Sequence, residues 1–308
     1  MNKTKNINIL FLCLIIWHVS NFLGLIDLIV LLNLNTTVTM IIIQLLLFLP
    51  IVVYLILEKV NITEWVPFQG IGIATVLQTV LLTFLIMPLV AFINLVSMTF
   101  STNMVSESLG TMTENPFLVN LFMIAVLPAV LEEIVFRGIF YRAYREKGVV
   151  GAMILSSVTF GLMHMNFNQF CYAFVLGVIF CILVEATGSI FPAMIAHFVI
   201  NGQSVVGLHS LPALESSASG MEEISSIADM PPGLVTLMIG IIGIVAVFAT
   251  VLAALVLFWI VTTCGRKEHI RWCFRKKILP EGMSRNYFTV SLLLAMVVAI
   301  GYMVWIEI

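Results

Sequence analysis

The chain has 308 residues, of which 61% are apolar and only 10% charged, with a formal net charge of -2. A soluble domain carries roughly a quarter charged residues, so a water-soluble globular protein is excluded and an integral membrane protein remains. The charges are spread by loop rather than pooled in a patch, which gives no basis for a nucleic-acid partner.

A membrane-crossing helix needs about 20 mostly apolar residues. Segments of that kind fall at 8–32, 39–57, 71–98, 117–142, 149–165, 169–186, 190–208, 232–262 and 287–306. The expected fold is therefore all-α, a polytopic transmembrane bundle of about nine helices. The first segment follows Lys3 and Lys5, as a signal peptide would, but lacks a small-x-small cleavage site and is read as a retained helix. Pro67, Pro116, Pro231 and Pro232 fall at boundaries, whereas Pro88, Pro128 and Pro192 fall inside segments or in their first turns and are expected to kink or start them. Five cysteines, Cys13, Cys171, Cys181, Cys264 and Cys273, show no CxxC or disulfide pattern and read as buried thiols.

Basic residues in short loops orient such a chain. With the N-terminus in the cytoplasm, every lysine and arginine except Arg137 falls on the inner side, and Glu107, Glu114, Glu215, Glu222, Glu223 and Asp229 fall on the outer side. The expected location is the cell membrane, multi-pass, with membrane lipids as the surrounding partner. The basic loop 264–285 is expected at the cytoplasmic headgroup surface, where each Lys or Arg gains about 1 kcal/mol. The organisation reads as N-terminal helices 1–115, a core 116–208, an external loop 209–231, and C-terminal helices 232–308 that include the basic loop.

Arg137 belongs to the stretch Leu131-Glu132-Glu133-Ile-Val-Phe-Arg137, inside the fourth segment. Ionisable groups at membrane depth cost several kcal/mol unless paired, and they usually mark function. Glu133 and Arg137 are four apart on one helical face and can pair. Glu132 points about 140° away from Arg137 on an ideal helix and is left for chemistry. It lies ten residues before Arg142, about 15 Å along the axis, too deep to reach bulk water. The bland alternative is that the three residues line a polar helix contact.

Other polar groups inside the membrane are expected to converge on Glu132. The fifth segment ends in Phe160-Gly-Leu-Met-His164, and the seventh carries His197 and Asn201 four apart. A glutamate, one histidine and a His-x-x-x-Asn pair supply a base, a proton shuttle and oxyanion donors, the parts that amide hydrolysis needs. His18 has no ionic companion in its segment and reads as structural. His209 and His269 fall in loops and carry no signal. Ser156 and Ser157 read as helix-packing residues. Counted from the inner surface, His164 sits about 25 Å up and His197 about 12 Å, so tilt or a fifth segment beginning below the surface must bring them level. Buried charge demands hydration, and a polar chamber in the bundle is expected.

Taken together, Glu132-Glu133-Ile-Val-Phe-Arg137 resembles the EExxxR motif of the CAAX-processing and bacteriocin-processing (CPBP) intramembrane proteases. Phe160 to His164 resembles that family's FxxxH motif, and His197 to Asn201 its HxxxN motif. The resemblance spans residues 117–208 and includes the eukaryotic CAAX prenyl endopeptidase. It implies an intramembrane endopeptidase acting on a peptide or lipidated protein. Glu132 would then activate water with help from His164, His197 and Asn201 would stabilise the oxyanion, and Glu133 with Arg137 would form a structural ion pair. No organic cofactor is implied. Both a metal-free glutamate route and a zinc ion on Glu132, His164 and His197 are compatible with these residues. The rival expectations are a non-catalytic scaffold, a bacteriocin self-immunity protein, or a proton-coupled transporter. Two repeated halves, usual in transporters, are not seen. Oligomeric state is left open by the sequence.

Overall fold

A computed structural model describes residues 3–20, 36–101, 115–215, 230–275 and 286–308. Among these residues the fold is helical, with no strand. In chain order the helices are α1 Lys3–Ser20, α2 Thr36–Leu47, α3 Leu49–Leu57, α4 Ile62–Trp65, α5 Ile73–Ser97 and α6 Phe117–Arg145. They continue as α7 Val149–Leu162, α8 Phe167–Thr187, α9 Phe191–Glu215, α10 Pro232–Thr263, α11 Lys267–Cys273 and α12 Val290–Glu307.

Six of them, α5, α6, α8, α9, α10 and α12, are long and apolar enough to cross a membrane. That is fewer than the count of about nine read from hydropathy. The expected span 39–57 is interrupted at Phe48, where α2 gives way to α3 just before Pro50. The expected span 149–165 yields only the 14 residues of α7, about 21 Å of helix. Of the expected span 8–32, residues 21–32 lie outside the described set, and the helix begins earlier, at Lys3. Residues 209–215, assigned to an external loop, continue α9 as helix. The basic loop contains α11, and residues 276–285 lie outside the described set.

The helices bury one face and leave the other apolar. On α10, Val247 is 65% exposed and Phe248 70% exposed, while Ala246, Ala249 and Ala253 are buried. An exposed apolar face of this extent would be a liability in water. In lipid it is the solvent-facing surface, and small residues let the partner helix approach. The architecture is that of a multi-pass membrane protein.

Two apolar clusters build the interior. One joins residues of α1, α6, α7 and α12, and the other joins residues of α5, α8, α9 and α10. Helix α6 lies at the seam, packing on α7 and α9. Its close neighbours α7 and α8 approach through small residues: a Cβ at Gly177 would meet Ser157 Cβ at 2.8 Å and its Cα at 3.0 Å.

Helix α6 is not a regular α-helix. Leu121–Val126 and Ile134–Phe140 are π-helical, so that Leu127 N–H donates to Phe122 O and Tyr141 N–H to Phe136 O. Pro128 explains the first departure, because it has no N–H to offer the carbonyls four and five residues before it. Side chains from other helices cover those carbonyls. Asn201 Nδ2 donates to Ile124 O at 2.9 Å, and Gln44 Nε2 donates to Met123 O at 3.1 Å. In the second π segment Ser156 Oγ donates to Phe136 O at 2.7 Å, tying α7 to α6. The packing role expected of Ser156 thus has a specific hydrogen bond behind it.

One end of the bundle collects basic residues far apart in sequence. Lys3 pairs with Glu146 at 2.5 Å, Lys147 donates to Asn286 O, and Arg266 Nε donates to Glu185 O at 2.7 Å. Asn6 Nδ2 reaches Glu58 Oε2 at 3.2 Å at the same end. The loops that charge counting assigned to one side therefore do lie together.

Candidate active site

The acidic pair at the middle of α6 divides as the helix geometry predicts. Glu133 Oε1 accepts from Arg137 Nη1 at 2.8 Å, and both side chains are 0% exposed. The guanidinium also lies over the rings of Phe160 and Phe180, with its central carbon 4.2 and 4.9 Å from their centroids. Each face offers a desolvated cation about 2 kcal/mol of attraction. Those rings stand where hydrogen-bond acceptors would otherwise be needed. Arg137 Nε and Nη2, and Glu133 Oε2, make no hydrogen bond.

Glu133 has a second partner that helix geometry does not show. His197 Nδ1 donates to the same Oε1 atom at 2.9 Å. Helix α9 brings the imidazole in, and Phe180 stacks on it with centroids 5.6 Å apart. His197 is therefore held from one side, with Nε2 turned to the other acid: Nε2 lies 3.8 Å from Glu132 Oε2. That separation is beyond direct hydrogen bonding, and it is the range in which a shared water bridges two polar atoms. Glu132 has 26% of its side chain exposed, against none for Glu133.

His164 reaches the same place from α7. The helix ends at Leu162, and His164 follows in the turn. Its Nδ1 donates to Phe160 O at 2.9 Å, satisfying one of the carbonyls orphaned by the helix end. That bond assigns the Nδ1–H tautomer to the neutral ring and leaves Nε2 as its lone-pair atom. Met165 follows with φ 52, and Asn166 caps α8 by accepting from Gln169 N at 3.0 Å. The tight turn between two short-range caps is how His164 comes level with Glu132, since α7 is too short to carry it across the bundle.

A cavity of about 80 Å³ sits at this point, lined by Glu132 and His164, with His18 of α1 and Phe48 at the α2–α3 break. At about 30 Å³ per water it has room for two to three waters at least. His18, read as structural from the sequence, is 8% exposed and contributes to the cavity wall. No signal in its own segment pointed there, because its neighbours in space come from α6 and α7.

The zinc alternative can be tested on the ligand atoms. Among the described residues, Glu132, His164 and His197 do not form a group whose ligand atoms all lie within 4.8 Å of one another. A zinc ion there needs the three ligands within about 4 Å of each other, so the arrangement does not fit the ion as it stands. The group that does meet the distance lies elsewhere: Glu185, His269 and Cys273. His269 is on α11 rather than in a loop, and His209 is on α9, where Asn120 Nδ2 and His209 Nε2 are 3.1 Å apart. Glu185 is a carboxylate inside the otherwise apolar run of α8, the one signal in the sequence that points to this group.

Residues 114–203 match the family described as type II CAAX prenyl endopeptidase, Rce1-like. The match takes in all three motifs and α6, α7 and α8, and it covers just under a third of the chain. It bears out the resemblance read from those motifs, and at the level of the family it supports a membrane-embedded peptidase. No curated protein and no solved structure matches the chain.

Proposed function

We propose that this protein is an intramembrane endopeptidase of the CAAX type, cleaving a peptide bond in a membrane-associated peptide or lipidated protein. Glu132 is the base. It takes a proton from a water in the cavity as the oxygen attacks the scissile carbonyl carbon, and it returns that proton to the amine as the C–N bond breaks. His164, held through Nδ1, keeps Nε2 for orienting the water and relaying its proton. His197, bonded through Nδ1–H to Glu133, serves the developing oxyanion in its doubly protonated form with Nε2–H as donor, and Asn201 offers the N–H not used on Ile124 O.

The observation that carries this reading is the division of labour between adjacent acids. Glu133 is buried and consumed by Arg137 and His197, whereas Glu132 is part-exposed beside His164 with His197 Nε2 at 3.8 Å. The metal-free route is supported by the spacing of the three candidate ligands. A cytoplasmic N-terminus follows if the shared basic end faces the cytoplasm.

The test is cleavage of a prenylated CAAX peptide by protein reconstituted in vesicles. Glu132→Gln keeps the shape and removes the base, so kcat should fall by about 10²–10⁴-fold while the thermal midpoint holds. Retention of full activity by that variant removes Glu132 from the mechanism. Run on Cys273→Ser, so that the Glu185–His269–Cys273 group does not contribute, a chelator should leave cleavage unchanged, and a loss in that variant reversed by added zinc would replace the metal-free route.

A further inference from the structure

At the basic end of the bundle, away from the candidate active site, three side chains with metal-binding chemistry converge from two helices. Glu185 lies two residues before the end of α8, and His269 and Cys273 stand four apart on α11. Cys273 Sγ is 3.4 Å from Glu185 Oε2 and 3.5 Å from His269 Nε2, and His269 Nε2 is 2.5 Å from Glu185 Oε2.

These distances can be set against a tetrahedral ion. With Zn–N near 2.0–2.1 Å, Zn–S near 2.3 Å and Zn–O near 2.0–2.2 Å, the edges involving sulfur come to about 3.5 Å and the N–O edge to about 3.4 Å. Both sulfur edges are already at that length. Only the His269–Glu185 edge is short, as a hydrogen bond, and it must open by about 0.9 Å to admit an ion.

Glu185 is anchored from behind. Its other oxygen is fixed: Oε1 accepts from Tyr141 Oη at 2.7 Å and from Arg145 Nε at 2.5 Å. A ligating carboxylate held in this way by outer hydrogen bonds is the usual support of a metal site. Oε2 also accepts from Arg145 Nη2 at 2.9 Å, a bond an ion would replace. Two alternatives can be set beside it. A cysteine nucleophile would have to meet a substrate, and Cys273 is 2% exposed. A hydrogen-bonded latch, in which His269 and the Cys273 thiol both donate to Glu185 Oε2, describes the metal-free form of the same cluster, and it predicts no thiolate band on metal addition.

We propose that Glu185, His269 and Cys273 are the ligands of a divalent transition-metal site, zinc by their donor chemistry, which pins the basic helix α11 to the end of α8. A helix of seven residues is too short to hold itself, and Arg266, which donates to Glu185 O, leads into it from α10. On binding, Cys273 releases its proton to solvent and coordinates as thiolate, His269 coordinates through Nε2, and Glu185 through Oε2. The fourth position takes water. Soft sulfur and imidazole together select zinc over magnesium or calcium.

The full chain, purified in detergent and freed of metal, is titrated with cobalt(II) and then with zinc. One equivalent of cobalt should produce a near-ultraviolet thiolate charge-transfer band that zinc abolishes. Cys273→Ser and His269→Gln should lose the band, while Glu132→Gln and Cys181→Ser keep it, which separates this site from the active-site reading. Zinc should raise the thermal midpoint of the wild type but not of Cys273→Ser. X-ray absorption of zinc-loaded wild type needs no variant: one sulfur at about 2.3 Å and the rest nitrogen or oxygen at about 2.0–2.2 Å is the expected shell. A shell without sulfur, a wild type with no thiolate band, or a band that survives Cys273→Ser overturns the proposal.

Discussion

Replacing Arg137 by methionine tests the buried ion pair directly. The substitution keeps an unbranched chain between Phe160 and Phe180 but strands Glu133, whose side chain is 0% exposed, with His197 as its remaining partner. Removing one member of a buried pair costs about 3–5 kcal/mol. The lost attraction to two ring faces acts in the same direction but overlaps that figure rather than adding to it. An expected loss of about 4 kcal/mol would take most of the stability of a protein at the low end of the ordinary range, leaving about 1 kcal/mol, and would lower its unfolding midpoint measurably. The companion is the double variant Glu133→Gln with Arg137→Met. It carries no charge at either position, and its amide oxygen can still accept from His197 Nδ1. Uncharged replacement of a buried pair is often neutral, so the double variant should lie within about 1.5 kcal/mol of wild type. Denaturant or thermal unfolding in detergent, run as a double-mutant cycle, measures the difference. If the double variant loses as much as Arg137→Met and Glu133→Gln alone do in sum, the coupling is zero and charge pairing is not what holds α6. Arg137 would then act only by packing against the two rings.

Three other outcomes are expected. Ser156→Ala removes the hydrogen bond to Phe136 O in the second π segment and should cost about 1 kcal/mol, measured in the same unfolding assay. Gly177→Ala puts a Cβ 2.8 Å from Ser157 Cβ, so α7 and α8 must separate; a loss of about 1–3 kcal/mol is expected, and an unchanged midpoint would mean that the two helices slide freely. His18→Leu makes the cavity wall beside Glu132 and His164 more apolar and should lower kcat for the CAAX peptide by about tenfold or more, equivalent to 1.4 kcal/mol, while leaving the midpoint in place. An undiminished kcat would show that His18 only fills space.

The family's residues and the pairing of Glu133 with Arg137 were legible in the chain because both rest on short separations. A helix repeats its face every three to four residues, so Glu133–Arg137 and His197–Asn201 declare themselves locally. The membrane character was equally legible, since length and apolarity are properties of one segment at a time. The helix count was less so. Whether an apolar run continues through Phe48 and Pro50, or stops at Leu162 to turn His164 inward, depends on caps and neighbours that hydropathy does not contain.

What tertiary structure alone decided is which polar groups meet. His197 is 64 residues from Glu133, and His269 is 84 from Glu185. His18 arrives from the first helix. Pro128 foretold a break in hydrogen bonding, but only packing put Asn201 and Gln44 on the carbonyls it leaves exposed. The physical reason is common to all of them. Sequence fixes the chemistry of a side chain and its place on its own helix, whereas its partner is set by how helices pack, and in lipid that packing is guided by small residues and shape rather than by a simple apolar stripe.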